Sequence, residues 1–234
     1  MRLYIIRHGD PIYIPDSLTP KGHLQAKALA KRFLVSGLDK IYSSPMIRAR
    51  QTAEPTAELL GLPIEILEWT SETLAANDFF VEKRKSDGKR NWIFGVNPTY
   101  YKNNETVKFY DDWYNSPFFL DHPEKDFKAG LERIQNESDE FLEKLGYKRD
   151  GAVYKIINPS NEKVAVFCHA GFGSIWISHL LGLPPHLAWP NIPTPHTGVT
   201  TFEFTNFENG LTLPCCRQIG DLSHLYIEGL QNNI

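Results

Sequence analysis

Leu3-Tyr4-Ile5-Ile6-Arg7-His8-Gly9-Asp10 decides the fold of this 234-residue chain. Residues 2–6 read as a short strand, apolar enough to be buried on both faces. The run stops abruptly in an arginine, a histidine and a glycine. A second run far downstream, Val164-Ala165-Val166-Phe167-Cys168-His169-Ala170-Gly171, ends in the same way. Two doubly buried strands that each deliver a histidine to a turn predict one site at the ends of a parallel sheet, where open α/β sheets bind their ligands. Gly9 and Gly171 are expected to let the backbone turn sharply and approach a ligand.

Working outward, strands and helices alternate. Thr19 reads as the N-cap of a helix over 21–35, with Pro20 in the first helical position and Gly37 as the stop. A strand over 39–43 follows. Ser44-Pro45 repeats the cap-plus-proline start, for a helix running to about Leu60. Further strands are predicted at 64–67 and 163–167, and further helices at 126–145 and 171–181. Asn209-Gly210 marks a hairpin between 198–204 and 211–217. The expected architecture is α/β: a three-layer αβα sandwich with a mostly parallel central sheet and one antiparallel edge strand. Residues 1–234 read as a single domain carrying an aromatic-rich helical insertion at about 73–125, which either thickens the core or caps the substrate. A structureless loop of that length is improbable, and the stretch is too aromatic for disorder.

Composition excludes several function classes. Hydrophobic residues make up 41% of the chain, enough for a sizeable core, and the net charge of −3 argues against a nucleic-acid binder. No apolar run approaches the ~20 residues that span a bilayer. Three cysteines, two of them vicinal, predict a reduced cytoplasmic protein without a disulfide framework. The histidines show no helical i, i+4 pair and no flanking cysteine pattern, so no metal and no cofactor is expected.

The chemistry follows from the side chains that this topology gathers. Arg7 precedes His8, and Arg48 falls in the first turn of the helix begun by Ser44-Pro45. That helix start, with unpaired N–H groups and a positive dipole end, favours an anion. Arginine's planar fork suits phosphate oxygens. Two histidines and two arginines converging on one anion fit phosphoryl transfer with a histidine nucleophile.

These residues also carry a family resemblance. Arg7-His8-Gly9, Leu18-Thr19-Pro20-Lys21-Gly22-His23-Leu24-Gln25-Ala26, Ser43-Ser44-Pro45-Met46-Ile47-Arg48-Ala49-Arg50-Gln51-Thr52-Ala53, Phe167-Cys168-His169-Ala170-Gly171 and Asp221-Leu222-Ser223-His224-Leu225 resemble, in order and spacing, the motifs of the histidine phosphatase (phosphoglycerate mutase-like) superfamily. The resemblance implies that His8 becomes a phosphohistidine and that Arg7, Arg48 and His169 complete the phosphate pocket. It implies a proton donor after the third strand. Glu72 fits that place best, with Glu68 and Asp78 as the alternatives. Such a donor has to be protonated before transfer, so its pKa should be raised. Asp10 and His196 are expected to border the pocket. His23, His122, His179 and His186 read as surface or packing residues, and His224 as support for the first strand's surroundings.

One departure bears on function. Asp10-Pro11-Ile12-Tyr13 follows the histidine where the family usually has polar residues and an Asn, and Leu74-Ala75-Ala76-Asn77-Asp78 replaces the glycolytic mutase pattern around the acid. The expected function is therefore a metal-independent phosphomonoester hydrolase acting through phosphohistidine on a small phosphorylated metabolite. The alternatives are a phosphoglycerate mutase-type phosphotransferase and a non-catalytic phosphate- or phosphopeptide-binding protein.

Overall fold

The period of two in the first strand builds the layers. In β1 (Arg2–Arg7), Leu3 and Ile5 face one side and Tyr4 and Ile6 the other, all of them buried. A strand with no wet face needs a cover on each side. The computed structural model describes residues 1–81, 91–102 and 104–230, and it supplies both covers. The other strands of the main sheet are β2 (Lys40–Ser43), β3 (Ile64–Ile66), β4 (Lys163–Cys168), β5 (Val199–Phe204) and β6 (Pro214–Asp221), in the order β6-β5-β1-β4-β2-β3. Helices α1 (Pro20–Ser36) and α2 (Ile47–Leu60) supply Leu29, Phe33 and Ala53 against Tyr4 and Ile6. After the short α3 (Glu72–Phe79), helices α4 (Phe127–Lys144) and α5 (Ala170–Leu181) supply Phe141, Phe172 and Trp176 against Leu3 and Ile5. The result is the three-layer sandwich expected from the sequence.

β1, β4, β2 and β3 pair in parallel. β5 runs against β1 and against β6, so it is the one reversed strand of this sheet, and it lies inside the sheet rather than at the expected edge. The hairpin after Phe204 turns the chain back and lays β6 outside β5. Residues 211–217 do not form one strand. Leu211–Thr212 leaves the main sheet to pair with Val153–Ile156, which pairs in turn with Tyr147–Asp150. That last hairpin was not expected, although its Asp150-Gly151 turn, with Gly151 at φ +62°, is a recognisable signal.

Thr19 caps α1 as its sequence implies, accepting the Gly22 N–H at 3.0 Å. Ser44-Pro45 does not begin α2. The helix starts at Ile47 after Met46, because the Ser44 hydroxyl is held instead by His169, 2.7 Å from its Nε2.

The aromatic stretch has no period because it is a cluster of short pieces. Its described parts comprise a two-residue ladder of Phe80–Val81 with Asn91–Trp92, 3₁₀ turns, and the short helices Asn104–Phe109 and Pro117–Leu120. Residues 82–90 and 103 of the expected insertion lie outside the described residues. Phe79, Phe94, Tyr101, Trp113, Phe119 and Phe127 are buried together, with the Trp113 and Phe119 rings 4.6 Å apart, in one core with Leu3 and Ile5. Such edge-to-face packing adds ~1 kcal/mol per pair beyond area burial. No helix among the described residues is long and apolar enough to cross a membrane.

Candidate active site

Register brings the two histidines together. β1 and β4 are neighbours, Arg7 pairs with Cys168, and the His8 amide donates to the Cys168 carbonyl at 2.9 Å. The two imidazole rings, both almost wholly buried, then lie 5.2 Å apart. Their hydrogen bonds are opposite. His8 holds Nδ1 2.7 Å from the Gly9 carbonyl, an acceptor, so Nδ1 carries the proton and Nε2 the free lone pair. Burial, reinforced by the Arg48 and Arg7 charges, pushes the His8 pKa down to about 2, which keeps the ring neutral. His169 instead holds Nε2 against the Ser44 hydroxyl, and its buried Nδ1 has no hydrogen-bond partner among the described residues. Burial, then the neighbouring His8, Arg48 and Arg7, hold its pKa well below the usual histidine value.

The two glycines act by close approach rather than by turning. A Cβ on Gly9 would meet the Gly22 carbonyl oxygen at 2.8 Å, and one on Gly22 would meet the Asp10 oxygen at 2.3 Å. Gly171 lies inside α5, where a Cβ would strike the Trp92 ring at 2.5 Å and the Glu72 carboxylate at 2.9 Å. Neither Gly9 nor Gly171 has the left-handed backbone that was expected to require it.

Both arginines are anchored from behind. Arg7 Nη1 donates to the Thr194 carbonyl at 2.7 Å. Arg48 Nη1 donates to Asp16 Oδ1 at 2.7 Å, and its Nη2 lies 3.5 Å from the Met46 sulfur. In each residue Nε is buried with no hydrogen-bond partner among the described residues. The start of α2 is not the open anion site expected from the sequence, since Asp16 Oδ2 already accepts the Ile47 N–H at 2.8 Å. What acts on the histidines is the Arg48 charge, which lowers the pKa of both rings.

Of the three candidate acids, only Glu72 meets the histidine strand ends. It opens α3, and its two oxygens accept the Gly171 and Phe172 amides at 2.9 Å each, capping the helix that follows His169. Burial raises its pKa above 4.5, against the lowering effect of those two amides and of Arg48 and Arg7. Glu68 is exposed in a 3₁₀ turn and borders a different cleft with Lys40, Leu74 and Arg133. Asp78 is taken by Arg133, which donates Nε and Nη2 to one of its oxygens at 3.0 and 2.7 Å.

Asp10 and His196 stand at the rim. The His196 ring is 5.7 Å from that of His8, and its Nδ1 is 3.6 Å from Asp10. Burial, then the Arg7 charge, pushes His196 down to about 4. With Arg7, Lys21, Ser174 and Trp189 they line a cleft of about 510 Å³. His122, His179 and His186 make contacts elsewhere, with Glu124, Asp139 and Trp113 respectively. His224 supports the first strand's end: its Nε2 lies 3.1 Å from the Thr197 hydroxyl, and the Thr197 amide donates to the Arg7 carbonyl at 3.1 Å.

Sequence reasoning missed Asp16, Thr52 and Thr197. Thr52 accepts the Gly9 amide at 3.0 Å and donates to the Arg48 carbonyl at 2.7 Å, tying the two motifs together. Each serves a residue far away in the chain or a backbone group, so no local pattern marks it. Ser44 was read as a helix cap when its hydroxyl belongs to the site.

Comparison with known proteins finds similarity in part of the sequence and in the fold. Residues 3–74 match the family model of the histidine phosphatase superfamily (branch 1). A protein of Hydrogenobacter thermophilus, provisionally named phosphoserine phosphatase 2, is 38% identical over 76 residues. That alignment covers 29% of this chain, and the chain spans only about a third of the length of the curated relatives it matches. A crystal structure of phosphoserine phosphatase from Entamoeba histolytica, in complex with 3-phosphoglyceric acid, matches with a TM-score of 0.60 at 21% identity, covering 96% of this chain and 98% of that one. A mycobacterial glucosyl-3-phosphoglycerate phosphatase with VO3 matches with a TM-score of 0.60 at 17% identity, covering 94% and 99%. At these identities the structural likeness speaks to fold alone. The stretch that matches the histidine phosphatase superfamily model, residues 3–74, contains Arg7, His8, Arg48 and Glu72.

Proposed function

We propose that the protein hydrolyses phosphomonoesters of small metabolites through a phosphohistidine at His8, without a metal ion. The observation that carries this reading is a set of buried donors lacking partners beside a neutral imidazole. Arg7 Nε, Arg48 Nε and His169 Nδ1 are all buried without hydrogen-bond partners among the described residues. Buried cationic donors are expensive unless an acceptor with negative charge meets them. A phosphoryl group offers three such oxygens, and the His8 Nε2 lone pair supplies the nucleophile.

The steps follow from these roles. His8 Nε2 attacks phosphorus as the bond to the leaving oxygen breaks. Glu72, whose pKa burial raises, gives its proton to that oxygen in its protonated form, and the alcohol departs. The arginines and His169 hold the equatorial oxygens while charge redistributes. The Glu72 carboxylate then takes a proton from water as the water oxygen attacks the phosphohistidine. Inorganic phosphate forms and neutral His8 is restored.

A small substrate is supported by the cleft of about 510 Å³ lined by Arg7, Trp189, Pro195 and His196, and by relatives named for phosphoserine and glucosyl-3-phosphoglycerate. Trp92, packed on Gly171, supports assigning the aromatic insertion to the leaving-group side, as part of a single domain. Cys168, Cys215 and Cys216 are free thiols, which suits a reducing cytoplasmic setting. The test is turnover of p-nitrophenyl phosphate by the wild type and by His8→Ala, with no added metal. Release of phosphate that disappears in the variant supports the reading. Turnover indifferent to His8 removes it. Activity only with a bisphosphate primer marks a mutase, and phosphate binding without turnover marks a binding protein.

A further inference from the structure

One exposed turn touches Arg48 with two of its side chains. Pro11–Ile12 and Ser17–Leu18 form a two-rung antiparallel ladder, and Leu18 N–H donates to Gln51 on α2 at 2.8 Å. The tip between the rungs runs Tyr13-Ile14-Pro15-Asp16. Ile14 is 92% exposed, so the tip is not held by burial of its own apolar residues. Its polar groups point inward instead. Asp16 spans the first amide of α2 and Arg48 Nη1 with its two oxygens, at 2.8 and 2.7 Å. The Tyr13 ring lies over the Arg48 guanidinium, 5.5 Å from centroid to carbon.

A guanidinium has five N–H donors in a rigid fork, so fixing one edge aims the other. Asp16 takes Nη1 of Arg48, and Nε is the atom left buried without a partner among the described residues. An arginine held this way has already lost the rotamer freedom that binding an anion would otherwise remove. We propose that Asp16 is a positioning residue for the phosphate site, clamping Arg48 between α2 and the 13–16 turn, with Tyr13 stacked on the clamp. The proposal rests on the reading of Arg48 as a phosphate ligand. It assigns the carboxylate to the rear of Arg48, with no direct contact to the phosphoryl group.

The test measures kcat/KM for p-nitrophenyl phosphate and the affinity for inorganic phosphate by titration calorimetry. It compares wild type, Asp16→Ala and Asp16→Asn, each also in an Arg48→Ala background, with thermal melts as a check on folding. Asp16→Ala should lower kcat/KM and phosphate affinity by roughly 10-fold, since a misaligned ligand is costly in a preorganised site. Asp16→Asn, which keeps an acceptor oxygen without the charge, should fall between wild type and Asp16→Ala. In the Arg48→Ala background the same changes should alter both quantities by less than about 2-fold, because two residues acting through one contact are not additive. Equal losses in both backgrounds overturn the clamp, and so does a gain in phosphate affinity on removing Asp16. Wild type that binds phosphate without turnover removes the hydrolase reading and leaves the clamp to be decided by the titration alone. Wild type that does neither removes both.

Discussion

His8 and His169 occupy equivalent places at the ends of adjacent parallel strands, yet their hydrogen bonds are mirror opposites. His8 gives its Nδ1 proton to the carbonyl of the next residue and is left with a bare Nε2. His169 commits Nε2 to a hydroxyl on another strand's exit and leaves Nδ1 without a partner. Burial holds both pKa values far below the usual histidine value, so neither ring is a permanent cation. The difference is in which face of a neutral imidazole is offered. A locally bonded ring offers a lone pair to an electrophile. When the Ser44 hydroxyl donates to Nε2, the ring keeps its hydrogen on Nδ1 and offers a donor to an anion. Under the proposed function, similar strand endings thus serve as a nucleophile and a ligand.

The sharpest way to break the comparison is to remove each ring in turn. His8→Ala should cost ~10⁴-fold or more in turnover, as loss of a covalent nucleophile does. Rapid-quench trapping should find an acid-labile phosphoryl group on wild type and on His169→Ala, and none on His8→Ala. The opposite pattern of labelling would exchange the two roles.

Glu72 should show a loss that depends on the substrate. Glu72→Gln should cost ~10²-fold on alkyl phosphates, whose leaving oxygen needs a proton, and far less on p-nitrophenyl phosphate, whose leaving group does not. The pH profile gives the sign. A raised carboxyl pKa means that the working, protonated form is lost as pH rises through that value, so kcat/KM should fall toward alkaline pH. The Gln variant should lack that falling limb. His8, with its pKa near 2, should add no acid limb above pH 3 or so. His169→Ala should then cost less than His8→Ala, ~10²-fold, by removing one donor to the developing charge.

The two histidines were legible because each ends a run of apolar residues with no polar alternation, which only a doubly covered strand explains. The layers followed from the same runs. Arg48 was legible as a helix residue near a strand exit, but the reason for its placement was not. The sequence reading assigned the anion to the α2 start, whereas Asp16 fills that start from 31 residues away. Ser44-Pro45 imitates a helix cap closely enough to hide that its hydroxyl serves His169. The antiparallel strand was recognised and misplaced, since a turn signal such as Asn209-Gly210 says that a chain reverses without saying on which side of its neighbour it lands. Glu72 was favoured by its position in a motif. Its contacts to Gly171 and Phe172 are made 99 and 100 residues away, beyond any local pattern.

Ser44 gives the finest test of the contrast between the rings, with the smallest expected effect. Its hydroxyl makes the bond that distinguishes His169 from His8, and it also lies 3.4 Å from the Met46 amide as a weak acceptor. Ser44→Ala removes one hydrogen bond to a neutral ring, worth ~1 kcal/mol, so kcat/KM should drop by ~3- to 10-fold. The ring stays in place by packing but loses the preference for a proton on Nδ1. The cost should therefore appear mainly as weaker inhibition by inorganic phosphate, while the labelled residue remains His8. In a His169→Ala background the same change should have almost no further effect, because the hydroxyl would have nothing left to orient. A loss of the same size in both backgrounds would mean that Ser44 supports the start of α2 and that the tautomer of His169 is set by something else.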